Sequence, residues 1–261
     1  MYRQRSYFEK KKDDKPTIEL NCIGLQCPGP ITEVFKRMDT MNPGEILEIK
    51  VTDPGFSRDI EEWCDKTGNT FLSKLQNDTE YSVFIQKGKG HTDMSSTPQL
   101  PIHSEEKGVT LIVFDQDYDK AIASFIIATG AVAMGKKVTM FFTFWGLNIL
   151  RKTISQKKDK DFTSKMFGAM MPAGPNKLPI SNMNMGGLGV KLIQRVMENK
   201  NIDNLETLMH TAMELGVDMI VCSMSMDVMG IHQEELIDGI QIGGVATYLG
   251  KAEESNINLF I

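Results

Sequence analysis

The sequence predicts an α/β protein of two units, a small βαβαββ two-layer sandwich followed by a larger, mostly parallel sheet with helices on both faces. Three observations predict it. Its 261 residues fit one large domain or two modest ones at roughly 150 residues per domain. Of 18 methionines, four lie in the first 94 residues and fourteen between Met134 and Met229, so the two halves differ in composition. Between them, residues 88–108 are polar, hold Pro98 and Pro101 and show no sustained periodicity, which reads as a flexible tether. The boundaries expected are a disordered lead over 1–15, a first domain over 16–87, a linker over 88–108 and a second domain over 109–261.

Each element has its reason. Thr17 to Cys22 alternates and suits a strand; Ile31, Val34, Phe35 and Met38 suit a helix opening beside Cys27. Glu45 to Val51 alternates again and ends in the turn residues Asp53-Pro54-Gly55. Ser57 to Lys66 reads as a capped helix with Ile60 and Trp63 on one face. Phe71–Leu75 and Tyr81–Gln86 complete the unit as strands around an Asn77-Asp78 turn.

In the second unit, Val109–Phe114, Lys137–Phe144 and Asp218–Cys222 are apolar runs of the kind buried on both faces. Helices are expected over Lys120–Met134, Leu147–Lys152, Leu188–Glu198, Leu205–Leu215 and Val245–Glu254, with a short one opening at Glu234. A last strand closes the chain at Ile257–Ile261. Strands alternating with helices imply a parallel sheet whose ligands gather at the carboxyl ends of its strands.

Composition excludes several classes. The 29 basic and 34 acidic residues give −5, which argues against a nucleic-acid-coating protein. Four cysteines are too few for a disulfide-built secreted domain, and no signal peptide opens the sequence, so a cytoplasmic protein with reduced thiols is expected. Lys136 and Lys137 split the apolar stretch from Ala121 to Leu150 into pieces shorter than the roughly 20 residues of a membrane span. Asp115, Asp117 and Asp119 open like a calcium loop, but Lys120 and Ile126 stand where Gly and Glu are needed. Met185 to Gly189 follows no strand and lacks the dinucleotide fingerprint. Cys222, Asp227 and His232 are a poor zinc set, and Met224, Met226 and Met229 are better explained as packing.

The cysteines differ in placement. Cys27 precedes Pro28, and proline favours the first helical position, which places Cys27 at the N-cap where the thiolate is stabilised. Cys222 ends a buried strand. Cys22 and Cys64 read as packing residues.

Gly24-Leu25-x-Cys27-Pro28-x-Pro30, with Gly44-Glu45, Asp53-Pro54, Asp59-Ile60 and Thr67-Gly68, resembles the TusA (SirA-like) sulfur-carrier family over residues 17–87. Cys22 departs from it, since the family often has Asp there. Asp119-Lys120-Ala121, Phe141 to Leu147 and Cys222-x-Met224-Ser225-Met226-Asp227-x-Met229-Gly230 resemble the DsrE/DsrF-like family, in its peroxiredoxin-like branch, over 108–261. The resemblance implies a flavodoxin-like, three-layer second domain that forms homo-oligomers, and sulfane sulfur borne as persulfide on Cys27 and Cys222. It implies no metal or organic cofactor, and as partners a donor of rhodanese or cysteine-desulfurase type and an acceptor protein. The chain also looks like the rear part of coenzyme A-disulfide-reductase-like fusions, which makes such a flavoprotein a further partner. Two alternatives stay open: a non-catalytic scaffold docking a flavoprotein disulfide reductase, and a thiol–disulfide switch pairing Cys22 with Cys27. The apolar, proline-bearing loop from Met166 to Gly187 is expected at an interface between copies.

Overall fold

A computed structural model describes residues 17–88, 107–153 and 171–261. The lead over 1–15, nearly all of the expected linker and the first residues of the Met166–Gly187 loop lie outside the described residues. Two units result, and each is described by itself.

The first unit runs β1 (Thr17–Cys22), α1 (Gly29–Asp39), β2 (Ile46–Val51), α2 (Phe56–Thr67), β3 (Thr70–Asn77) and β4 (Glu80–Gln86). Its sheet has the order β1-β2-β4-β3, with β1 and β2 parallel and the other pairs antiparallel. Val34 and Met38 of α1 and Ile60 and Trp63 of α2 are buried, as are Leu47, Ile49 and Val51 of β2 and Val83 and Ile85 of β4. Each such side chain contributes about 1.5–3 kcal/mol by leaving water. Because β1 and β2 are parallel with Cys22 opposite Val51, the chain leaving β1 toward Cys27 and the chain leaving β2 toward Asp53 emerge at one end of the sheet. Two helix starts differ from expectation. Helix α2 begins at Phe56, ahead of Ser57, with Gly55 at its cap position, because buried Phe56 joins the core-facing turn. Helix α1 begins at Gly29 with Pro28 at its cap position, so Cys27 stands one residue outside the helix cap.

The second unit runs β5 (Gly108–Val113), α3 (Tyr118–Ala133), β6 (Val138–Phe142), a 3-10 segment (Phe144–Leu150), α4 (Leu188–Asn199), α5 (Leu205–Glu214), β7 (Asp218–Cys222), α6 (Ser223–Met229), β8 (Gln241–Gly243), α7 (Val245–Glu253) and β9 (Ser255–Phe260). All neighbouring strands are parallel, in the order β8-β7-β6-β5-β9. The chain steps from β5 to β8 in one direction, then crosses back through α7 to β9 on the far side of β5. Right-handed crossovers in opposite directions place their helices on opposite faces of the sheet. Side chains of β6 show both faces: Phe142 packs on Phe125 of α3 at 6.2 Å between ring centroids, and its neighbour Phe141 packs on Tyr248 of α7 at 5.3 Å. This is the layered, flavodoxin-like arrangement, with β6 buried along its whole length.

Four details depart from the sequence reading. The segment after β6 is a 3-10 helix rather than an α-helix starting at Leu147, and the short helix at Glu234 is a single 3-10 turn over Gln233–Glu235. Strand β8 was not expected, since Gln-Ile-Gly at an exposed edge has no apolar run to betray it. Helix α6 was not expected either, and it follows Cys222 with no intervening loop.

Candidate functional site

Cys222 is the last residue of β7 and occupies the cap position of α6, so its sulfur lies at the carboxyl end of a parallel sheet. Its side chain is only 7% exposed and belongs to a cluster with Phe141 and Ile220, against which Tyr248 packs. Burial opposes ionisation of this thiol, but four groups outweigh it: the Ser225 hydroxyl, the Ser225 N–H, the Thr143 hydroxyl and the Met224 N–H. The result holds Cys222 below the ordinary thiol range. The Cys222 side chain makes no capping hydrogen bond; Ser225 stands three residues beyond it in α6, and Thr143 follows Phe142, the register partner of Val221, so both lie next to Cys222. Thr143 reaches this place because it follows β6 directly, and its hydroxyl sits 2.8 Å from that of Ser225.

Cys27 lies in the loop from β1 to α1. The loop turns at Gly24, whose φ of +83° suits glycine, and its N–H donates to the Thr52 hydroxyl at 2.9 Å. Gly29 N–H donates to the Gln26 carbonyl at 2.8 Å, a turn that fixes Pro28 rather than Cys27 at the helix cap. The sequence argument expected a lowered pKa for Cys27. The structure reverses it: desolvation, then the nearby carboxylates of Asp53 and Asp59, push this exposed thiol up. Asp53 is 6% exposed; its Oδ1 accepts from Gly55 N–H at 2.9 Å, and its buried Oδ2 has no hydrogen-bond partner.

Cys22 and Cys64 are fully buried. Burial, aided by Glu33, pushes Cys22 up to about 11; burial, aided by Asp65 and Glu61, pushes Cys64 up to about 12. Among the described residues no group of three or more His, Cys, Asp or Glu is placed to hold a metal ion, and no helix is long and apolar enough to cross a membrane. Sequence reasoning quoted Thr143, Ser225 and Asp53 inside motifs without giving them roles. For Ser225 a signal was available, since it stands three residues beyond a strand-end cysteine, the spacing of a cap and its third helical residue.

Comparison with known proteins bears on both units. Residues 105–260 match the family model of the DsrE/DsrF/DrsH-like family. The chain belongs to that family. Its first unit, over residues 18–87, matches the model described as sulfurtransferase TusA. YrkE of Bacillus subtilis is 47% identical over 157 residues, which is 60% of this chain and 98% of that protein. The sulfur carrier protein DsrE2 of Allochromatium vinosum is 33% identical over 162 residues, 60% of this chain and 99% of its own. MJ0760 of Methanocaldococcus jannaschii is 23% identical over 252 residues, spanning 96% of this chain and 74% of that protein. Two of these relatives are thus matched over nearly their whole length by 60% of this chain, in which a DsrE-like unit follows a TusA-like one.

Proposed function

We propose that the chain is a sulfur carrier that bears sulfane sulfur as cysteine persulfide at Cys27 and at Cys222. The observation that carries this reading is the surroundings of Cys222, where hydroxyl and amide donors favour a thiolate at the end of a parallel sheet. A thiolate is the species that attacks a donor's sulfane sulfur. Membership of the DsrE-like family, a TusA-like first unit and a relative named as a sulfur carrier all support the role.

The chemistry needs a donor persulfide, supplied by a rhodanese or cysteine-desulfurase type of protein, and an acceptor thiol on a further protein. Mass spectrometry after treatment with a sulfane donor tests the reading. One added sulfur on the Cys27 and Cys222 peptides is expected. Loss of two hydrogens between Cys22 and Cys27 would establish a redox switch instead, and no change would leave a docking scaffold.

The second unit is also proposed to self-associate. Val245 and Leu249 of α7 and Phe260 of β9 are 69%, 52% and 68% exposed, an apolar surface that a monomer seldom presents. Sedimentation at micromolar concentration should show a species larger than the 29.3 kDa chain, and a clean monomer would end this part of the proposal.

A further inference from the structure

Thr143 and Ser225 lie 82 positions apart, yet their hydroxyls form a 2.8 Å hydrogen bond, and both stand next to Cys222, Thr143 by the β6–β7 register and Ser225 as the third residue of the helix that Cys222 caps. Ser225 is fully buried, the third residue of α6. For Thr143 to meet it, the chain must leave β6 and turn at once. Two features enforce that turn. Phe144 takes a left-handed φ of +45°, a conformation that an aromatic residue adopts only when its surroundings impose it. Gly146 lies so close to β5 that a Cβ there would stand 2.1 Å from the Val113 carbonyl oxygen. Its N–H donates to the carbonyls of both Thr143 and Phe114, at 3.1 and 2.8 Å. The strain and the missing side chain together fix where the Thr143 hydroxyl points.

Two hydroxyls carry two protons. One is spent on the bond between them, and the other is left for a neighbouring acceptor. We propose that Thr143 and Ser225 form a two-hydroxyl hold for negative charge on the Cys222 sulfur, serving it as nucleophile on uptake and as leaving group on release.

This rests on the reading of Cys222 as a persulfide carrier. On uptake, the Cys222 thiolate attacks the terminal sulfur of a donor persulfide. A new S–S bond forms at Cys222, the donor's S–S bond breaks, and the donor thiolate leaves with the electron pair. The charge then sits on the terminal sulfur, one bond farther from the two hydroxyls. On release, an acceptor nucleophile attacks that terminal sulfur and the bonding pair returns to the Cys222 sulfur. A hydroxyl proton held beside that sulfur then stabilises the departing thiolate. Each step exchanges one S–S bond for another, so no outside oxidant or reductant enters.

The test uses the full chain carrying Cys27→Ser, with Ser225→Ala, Thr143→Val, Thr143→Ser and the Thr143→Val/Ser225→Ala double substitution. Two quantities are read: the pH midpoint for iodoacetamide alkylation of the Cys222 peptide, and the rate at which cyanide removes sulfane sulfur from the polysulfide-loaded protein as thiocyanate. Ser225→Ala and Thr143→Val are expected to raise the midpoint by about one pH unit. They should slow cyanolysis roughly threefold, since the leaving thiolate becomes more basic. Thr143→Ser should match the parent, and the double variant should be no worse than Ser225→Ala because the pair acts as one. Unchanged midpoints and rates in folded single variants, or fully additive losses, would overturn the proposal. If the parent takes up no sulfur at Cys222 while the midpoints still shift, the charge hold stands and the carrier reading falls.

Discussion

The rings of Phe141 and Tyr248 meet at 5.3 Å, tilted by 42°, on the face of the sheet that also holds Cys222. One ring belongs to β6 and the other to α7, so α7 packs against the cluster that holds the Cys222 sulfur. With Cys222 only 7% exposed, a donor persulfide reaches it only if this neighbourhood opens or a small nucleophile slips past Tyr248. Removing the ring tests access separately from charge. Tyr248→Ala is expected to raise the absolute alkylation rate of Cys222 several-fold while its pH midpoint stays in place. A midpoint that moved with the rate would mean that Tyr248 tunes the sulfur's charge instead of shielding it.

Cys27 should titrate above the ordinary thiol range and Cys222 below it, with Cys22 near 11 and Cys64 near 12. Desolvation is the largest cause at Cys27, followed by the carboxylates of Asp53 and Asp59. Asp53→Asn keeps an oxygen for the Gly55 N–H and removes the charge. The Cys27 midpoint in an iodoacetamide pH profile should then fall part of the way toward that of an ordinary thiol, because desolvation remains. A midpoint that rose, or stayed fixed, would show that the carboxylate does not act on this sulfur.

Much of this was legible in the sequence, and the misses have definite causes. The run Asp218–Cys222 placed Cys222 at a strand end because a strand buried on both faces needs unbroken apolar residues. The lowering of its pKa was not legible, since half of the hydroxyl pair comes from the residue after β6, and only the sheet brings Thr143 beside Ser225. Cys27 was misplaced by one residue. The rule that proline favours the first helical position put the cap at Cys27, whereas the turn between Gln26 and Gly29 makes Pro28 itself the cap residue. Desolvation of the sulfur, with the unforeseen approach of Asp53 and Asp59, pushes its pKa up where the cap position had implied a lowering.

Arg151 and Glu235 form an ion pair at 3.2 Å with side chains only 3% and 5% exposed. It ties the end of the 3-10 segment after Thr143 to the turn at Glu235, beside the backbone bond from Lys152 N–H to the Glu235 carbonyl. Breaking a buried pair leaves one charge without its counterion. Arg151→Met should therefore cost about 3–5 kcal/mol in urea unfolding of the second unit. A double Arg151→Met/Glu235→Leu variant should recover much of the loss. A loss under 1 kcal/mol in the single variant would show that the pair is structurally idle.

Transfer between the two cysteines proposed as carriers should depend on pH differently in its two directions. Moving sulfur from a Cys27 persulfide to Cys222 requires the Cys222 thiolate, which the lowered pKa supplies already below the ordinary thiol range. Moving it from a Cys222 persulfide to Cys27 requires the Cys27 thiolate, which the raised pKa withholds to higher pH than for an ordinary thiol. The rate of attack follows the thiolate fraction while the pH is below the attacking thiol's pKa, about tenfold per pH unit. The transfer to Cys222 should thus level off at a lower pH than the transfer to Cys27. The experiment loads one cysteine with isotopically labelled sulfur, raises the pH in steps and follows the label by peptide mass spectrometry. If both directions rise in parallel, the two sulfurs do not differ in ionisation as their surroundings require. If label never passes between them at any pH, Cys27 and Cys222 exchange sulfur with separate partners and not with each other.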